Sequence, residues 1–373
     1  MIVIAASSSA PVGVAKNVYT LAHALKSQEK EIVVIVRSNG WLKKALEKDG
    51  IKVFTMNTAP NVLGVLLANV KIFHLVKMFS GVSVLHLNGR FFLFSAILCK
   101  ILSPQIKQIY SVRQFQEVSS SGLFCWKNKL EAFLMRFQNK IHVVGHDLGE
   151  EVARRIGNET TIDVIPNFVR SNHIIAEDTA INKSNLILQK QVKKYTHVLG
   201  AGRLSREKGF DTLIHALFIL KKNGFALSLD LFGEGPEESY LKKIVADLSL
   251  QDNVTFKGVA TDLGNTLPKY DIVVVPSRSE SFGLLVVESF RAGVAVVASA
   301  IPGLREVASS ESALLFLPGS DSDLAEKIRF LVEMPEARYQ FARNGYSRFI
   351  EEYCEDTGIQ RFVNMYEAAA CGQ

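Results

Sequence analysis

The sequence predicts an α/β protein built from two doubly wound parallel sheets, one in each half of its 373 residues. Three observations predict it. Short apolar runs of the kind buried on both faces of a parallel sheet recur along the chain, among them Ile2-Val-Ile-Ala, Ile32-Val-Val-Ile-Val36, Ile272-Val-Val-Val275 and Val294-Ala-Val-Val-Ala298. Segments with helical apolar spacing separate these runs, and such alternation means right-handed parallel crossovers. The alternation breaks once, over the polar and irregular residues 173–195, and then restarts. That break sets a domain boundary at 175/176, giving domains 1–175 and 176–355.

In the first half, strands are expected at 2–5, 32–36, 51–54, 84–87, 108–112, 140–145 and 162–166. Helices are expected at 16–25, 41–49, 62–79, 91–102, 127–138 and 147–156, the last opening on an Asp cap at Asp147. In the second half, strands are expected at 197–202, 226–232, 254–257, 272–275, 294–298 and 314–317. Helices fall at 210–222, 238–248, 262–267, 283–293, 323–333, 335–352 and 356–370. Open sheets of this kind bind ligands at the carboxyl ends of their strands.

Composition bounds the function. With 48% apolar and 21% charged residues the chain is globular rather than disordered. Cys99, Cys125, Cys354 and Cys371 have neither CxxC nor zinc-type spacing, which fits a reduced, cytoplasmic compartment. The apolar N-terminus has no basic lead and is too short for a signal peptide. The run 91–99 is too short to span a bilayer. Residues 1–180 carry 21 Lys and Arg against 13 Asp and Glu, whereas residues 181–373 carry 22 against 24. Residues 65–140 hold ten cations opposed by Glu117 and Glu131 alone. The first half therefore faces something anionic (nucleic acid, phospholipid or a phosphorylated substrate) or has a solvated basic surface.

The densest chemistry lies in Pro276-Ser-Arg-Ser-Glu280-Ser-Phe-Gly-Leu-Leu-Val-Val-Glu288-Ser-Phe-Arg-Ala-Gly293. It reads as strand end, polar loop and apolar helix, with Glu280 in the loop and Glu288 in the first two turns. A loop running into a helix N-terminus presents free amides to a ligand. Glu288 sits in a largely apolar helix, where a carboxylate needs a partner. Gly200-Ala-Gly202-Arg203-Leu-Ser205-Arg-Glu-Lys208-Gly209 ends the first strand of the second half. Arg203 and Lys208, five residues apart in it, suit a diphosphate, although it has neither P-loop nor GxGxxG spacing. Phe232-Gly-Glu-Gly-Pro236 and Val254-Thr-Phe-Lys-Gly258-Val259 end neighbouring strands. Asp321-Ser-Asp323 spells a metal-binding triplet but precedes a helix, where capping explains it.

Taken together, these motifs resemble the family-4 retaining glycosyltransferases of GT-B fold, the glycosyl transferases of group 1. Glu280 and Glu288 meet the family's Glu-x7-Glu; Gly202-Arg203-Leu204 and Glu207-Lys208-Gly209 meet its Gly-Arg-Leu…Glu-Lys-Gly loop; Pro302-Gly-Leu-Arg-Glu306 follows in order. The resemblance implies two Rossmann-like domains facing across a cleft, with residues 356–373 as a C-terminal helix packing back on the N-terminal domain. It implies that Arg203 and Lys208 grip the donor diphosphate, and that Glu280 holds sugar hydroxyls. The amides of Ser281, Phe282 and Gly283 would contact sugar and phosphate, and Glu288 the ribose. Gly233 would line the site, Val259 would stack on the base, and Gly13 would admit backbone to the phosphate. No metal or other cofactor is implied, because fixed cations and dipoles meet the leaving group's charge.

The first half departs from the family. The usual His-x-His becomes His86-Leu-Asn88, the next strand ends in Arg113 instead of His, and Asn-Gly-Val-Asp becomes Asn167-Phe-Val-Arg170. His86, Asn88 and Arg113 are the candidate catalytic set. Asn88 and Arg113 offer donors to an acceptor phosphate or hydroxyl, while His86 is either functional or structural.

The expectation is a metal-independent, retaining transferase that moves a sugar from a UDP-sugar to a glycolipid, lipopolysaccharide or lipid-linked acceptor. It would act in the cytoplasm or on the inner face of the membrane, without nucleic acid. Leu123, Phe124, Trp126, Phe133 and Phe137, interleaved with cations, suggest contact with an anionic membrane. The alternative is a non-catalytic nucleotide-sugar-binding subunit of a transferase complex.

Overall fold

The computed structural model describes residues 1–10, 13–58, 62–113, 122–157, 160–170, 195–260 and 262–372, with the side chains of residues 62, 96 and 122–127 outside the description. The chain forms two compact units, residues 1–168 with 355–373, and residues 169–354. The boundary expected at 175/176 lies outside the described residues.

The first unit holds seven parallel strands: β1 (Ile2–Ala6), β2 (Ile32–Val36), β3 (Lys52–Thr55), β4 (Val84–Asn88), β5 (Lys107–Val112), β6 (Lys140–Val143) and β7 (Thr161–Val164). Their order is β3-β2-β1-β4-β5-β6-β7, so the winding reverses between β1 and β4. The central strands β1, β2 and β4 are buried throughout, as strands covered on both faces are, while the edge strands β3 and β7 are partly exposed. The helices are α1 (Gly13–Ser27), α2 (Trp41–Lys48), α3 (Val62–Met78), α4 (Phe94–Leu102), α5 (Gly122–Met135) and α6 (His146–Ile156).

Side-chain alternation sends each strand into two cores. Ile2, Ile4 and Ala6 of β1 meet α1, while Val3 and Ala5 meet α3 to α6. The first core also contains Ile359, Phe362, Val363, Met365, Tyr366 and Ala369 of the last helix of the chain, α14 (Glu355–Cys371). Those residues recur at helical spacing, so one face of α14 is apolar and finds its cover on the sheet. Burying a large apolar side chain contributes roughly 1.5–3 kcal/mol, which fixes α14 to this unit.

The second unit has six parallel strands: β8 (Thr196–Ala201), β9 (Leu227–Phe232), β10 (Val254–Gly258), β11 (Ile272–Val275), β12 (Ala295–Ser299) and β13 (Leu314–Phe316). Their order is β10-β9-β8-β11-β12-β13, with the reversal between β8 and β11. Its helices are α7 (Phe210–Lys222), α8 (Glu238–Asp247), α9 (Leu263–Thr266), α10 (Leu284–Arg291), α11 (Pro302–Val307), α12 (Asp321–Glu333) and α13 (Pro335–Arg348). Both units are therefore doubly wound, as the sequence predicts.

Two helix boundaries differ from those expected. α1 opens at Gly13 rather than 16, because the small residues there continue the helical backbone. The helix expected over 335–352 stops at Arg348 and passes into a π-helical turn, Phe349–Tyr353. That turn delivers Tyr353 and Cys354 to Val169, where a bridge and an amide bond of 3.1 Å close the unit. Among the described residues no helix is long and apolar enough to cross a membrane.

Candidate active site

In the second unit the singled-out residues gather at the carboxyl ends of β8 and β11, on the two sides of the winding reversal where such sheets bind ligands. The loop after β8 ends in a 3-10 turn, Arg206–Lys208, and the left-handed Gly209, which caps α7. Lys208 pairs with Glu280, and the Glu280 carboxylate lies 3.5 Å from the Ser277 hydroxyl. Arg203 is exposed and makes no hydrogen bond or ion pair among the described residues.

A residue that sequence reasoning passed over ties these loops together. Arg278 holds both oxygens of Asp211 at 2.8 Å and reaches the carbonyl of Arg206 at 2.9 Å, while its own amide bonds the Glu207 carbonyl at 2.7 Å. Burial pushes the Asp211 carboxyl up, but the hydrogen bonds and charge of Arg278 outweigh that and hold it below its ordinary value. The same bonds raise Arg278, so the pair is ionised and rigid over the neutral range. Lys208 and Glu280 are thereby mounted on one braced frame. Nothing in the sequence pairs positions 67 apart.

Gly283 caps α10 in the left-handed region, φ 88°, and a Cβ there would lie 2.4 Å from Leu304. The amides of Ser281, Phe282 and Gly283 take no acceptor among the described residues, so the end of the helix presents donors beside Glu280. Glu288, one turn further along α10, is half-buried and interacts electrostatically with Arg291. Gly233 follows β9 at φ 134°; a Cβ would meet the Gly202 carbonyl at 1.8 Å, so only glycine lets the two strand ends close up. Val259 is 64% exposed beyond β10. Asp321 and Asp323 occupy the first turn of α12, where Asp323 donates its amide to Ser320 and accepts from the Leu317 amide.

In the first unit Asn88 ends β4, Arg113 follows β5 and Gly13 opens α1, again around the winding reversal. The space beside the Gly13 Cα is open. Arg113 donates to Asn88 Oδ1 at 2.8 Å and to Asn167 Oδ1 at 2.7 Å; Asn17 Nδ2 donates to the same Asn167 oxygen at 2.9 Å.

The structure places His86 in the core of the first unit, beneath Asn88 and away from solvent. It is fully buried, and both ring nitrogens are engaged. A single chain of bonds crosses three strands: Tyr366 Oη to His86 Nδ1 at 2.7 Å, His86 Nε2 to Ser111 Oγ at 2.6 Å, Ser111 Oγ to His142 Nδ1 at 2.6 Å, and His142 Nε2 to the Ile165 carbonyl at 2.8 Å. The carbonyl can only accept, so His142 carries its proton on Nε2. Ser111 then donates to His142 and accepts from His86 Nε2–H, and Tyr366 donates to His86. Every site is satisfied with both rings neutral. Burial, then His142 and Arg113, lowers His86 well below the ordinary imidazole value; burial, then Arg113, lowers His142 to about 3.

Residues 11–173 match the family model described as Glycosyltransferase Family 4, and residues 185–348 match Glycosyl transferases group 1. The lipopolysaccharide core biosynthesis glycosyltransferase LpsD of Rhizobium meliloti is 29% identical over 215 residues, 57% of this chain and 60% of that protein. The D-inositol 3-phosphate glycosyltransferase of Pseudarthrobacter chlorophenolicus is 35% identical over 154 residues, 39% of this chain and 37% of that protein. The matches thus span less than two thirds of these relatives' length. The crystal structure of Anabaena HepE in complex with UDP and glucose has a TM-score of 0.82 at 22% identity, covering 98% of this chain and 99% of that one, and so shares its fold. Matched by one family model in each half, and folded as two Rossmann-like sheets in the manner of GT-B proteins, the chain belongs to the family-4, group 1 glycosyltransferases.

Proposed function

We propose that the protein is a metal-independent, retaining glycosyltransferase that takes a UDP-sugar on its second unit and delivers the sugar to a glycolipid, lipopolysaccharide or lipid-linked oligosaccharide bound on its first. The observation that carries this reading is the braced set of Lys208, Glu280 and the α10 amides, with Arg203 exposed nearby. When the bond from the anomeric carbon to the diphosphate breaks, negative charge grows on the leaving oxygen. Arg203, Lys208 and the helix N-terminus are fixed donors for that charge. Glu280 turns to the sugar hydroxyls and Glu288 to the ribose. In this reaction the acceptor attacks from the face the diphosphate leaves, and the departing phosphate oxygen takes the acceptor proton. HepE binding UDP and glucose, and LpsD acting in lipopolysaccharide core synthesis, favour the UDP donor and the envelope acceptor.

The face of α3 favours a membrane-borne acceptor. Leu63, Leu66, Leu67, Val70 and Met78 are exposed at helical spacing, with Lys71 and Lys77 on the same side. A helix apolar on its solvent side as well as its buried side fits a lipid boundary. From residue 50 to residue 116 the chain carries seven Lys and Arg and no Asp or Glu, which suits an anionic surface at the cytoplasmic face. Phe133 is exposed and Phe137 half-buried; the side chains of Leu123, Phe124 and Trp126 lie outside the described residues. The protein is expected to sediment with anionic vesicles at low salt and to be released by salt, with Leu67→Glu weakening the association several-fold. Equal binding to neutral vesicles, or none at all, would refute the membrane reading.

The deciding experiment is transfer of labelled sugar from a panel of UDP-sugars to an envelope lipid extract. A glycosylated lipid product supports the reading. The departures at Asn88 and Arg113 favour a second one, a non-catalytic nucleotide-sugar-binding subunit. Donor binding without any glycoside formed would select it.

A further inference from the structure

We propose that Arg113 and Asn88 form an anion subsite on the first unit, which takes a phosphate or carboxylate group carried by a substrate of the transfer. The proposal rests on the transferase reading and names the chemistry of what is recognised.

A buried guanidinium is ordinarily matched by a carboxylate. Arg113 is not: its two terminal nitrogens are met by the carboxamide oxygens of Asn88 and Asn167, and no carboxylate is within ion-pair distance among the described residues. Among the described residues, the titratable groups that interact with it are uncharged. Tyr110 on its own strand and Tyr366 on α14 keep their protons because burial raises them both, and His86 and His142 are held neutral by the bond chain beneath. Glu131, the partner of Tyr110, accepts from Tyr110 Oη at 2.9 Å and lies 3.7 Å from Arg90. Burial pulls Arg113 down to about 10, which still leaves it cationic at neutral pH.

Two donors remain unused. Arg113 Nε is buried without a partner, and so is Nδ2 of Asn88, which is itself fully buried. Asn88 cannot relieve this by flipping, because its NH2 would then face the Arg113 NH2. The Asn17–Asn167–Arg113–Asn88 chain thus turns its carboxamide oxygens to the cation and leaves N–H groups over. A net positive, donor-rich strand end with no acid paired to it among the described residues is what an oxyanion completes. The acceptor carries this anion, as a phosphate or as a carboxylate group.

Calorimetry separates the two groups. One arm titrates glucose 6-phosphate against glucose, with and without saturating UDP. The other titrates glucuronate against glucose. The anionic probe is expected to bind at least tenfold tighter in one arm; Arg113→Gln should abolish that preference, Arg113→Lys should restore part of it, and both variants should keep the wild-type affinity for UDP. A preference in the first arm assigns an acceptor phosphate, and in the second an acceptor carboxylate. If glucose binds as tightly in both arms, or Arg113→Gln leaves the preference intact, the subsite does not exist. Failure of UDP itself to bind would sink the donor reading instead, while glucose 6-phosphate without UDP still reports on Arg113.

Discussion

Replacing Lys208 with alanine is expected to lower kcat/KM for sugar transfer by about 10²–10³, the range found when one fixed donor to a developing anion is removed. The physical reason is double. Lys208 is the braced cation of the β8 loop, and its present partner is Glu280. Without the lysine, the diphosphate loses a point charge, and the Glu280 carboxylate is left facing it unscreened. Charge on the leaving oxygen is greater in the transition state than in bound donor, so kcat should fall rather than KM alone rise. Glu280→Gln keeps an acceptor oxygen for the sugar hydroxyl and removes the charge, so a smaller loss of about 10–100-fold is expected. The double variant should fall short of the product of the two single effects, because they share one contact. Steady-state rates with UDP-sugar, set beside UDP affinity by calorimetry, check this. Transfer unchanged in Lys208→Ala would remove the residue from the donor site.

How much of this was legible in the sequence depends on the distance over which each signal acts. The strands show themselves because parallel sheets need unbroken Val/Ile runs, and Ile272–Val275 or Ile32–Val36 admit little else. The residues proposed for the donor side show themselves because the loop after β8 and the loop before α10 carry their chemistry in short, ordered motifs. What stayed hidden is long-range pairing of ordinary residues. Arg278 reads as a surface arginine until Asp211 is placed beside it. Asn17 and Asn167 become part of the Arg113 site across 150 residues. His86 reads equally as catalyst or core residue until Ser111, His142 and Tyr366 occupy its surroundings, Tyr366 from 280 residues away. The helix break at Arg348 is set by tertiary closure at Val169, which no local propensity encodes.

The same bond chain makes the first unit acid-labile, and this is the second large expected effect. Both His86 and His142 are neutral in the fold, with pKa values lowered by burial, His142 to about 3. In the unfolded chain each titrates near 6.5. Below that pH the unfolded state binds more protons than the folded one, so stability rises with pH and is lost as pH falls. The contribution is fully present above about pH 7. It declines through 6.5 and continues downward until the folded rings titrate. Well below 6.5 the loss approaches about 1.4 kcal/mol per pH unit for each histidine whose ring is still neutral in the fold, so the two together give a steep decline. Carboxylates such as Asp211, whose pKa is lowered, withdraw their support only at still lower pH, so the window from 6.5 to 5 belongs to the histidines. Both tryptophans of the chain, Trp41 and Trp126, lie in the first unit, so their fluorescence follows its unfolding alone. Urea midpoints read by tryptophan should be flat from pH 8 to 7 and fall steeply below 6.5. His142→Gln, which cannot titrate, should be less stable at pH 8 through its lost bond to Ser111, yet show about half the wild-type slope between pH 6.5 and 5. An unchanged slope would mean that the acid sensitivity comes from groups other than the buried histidines.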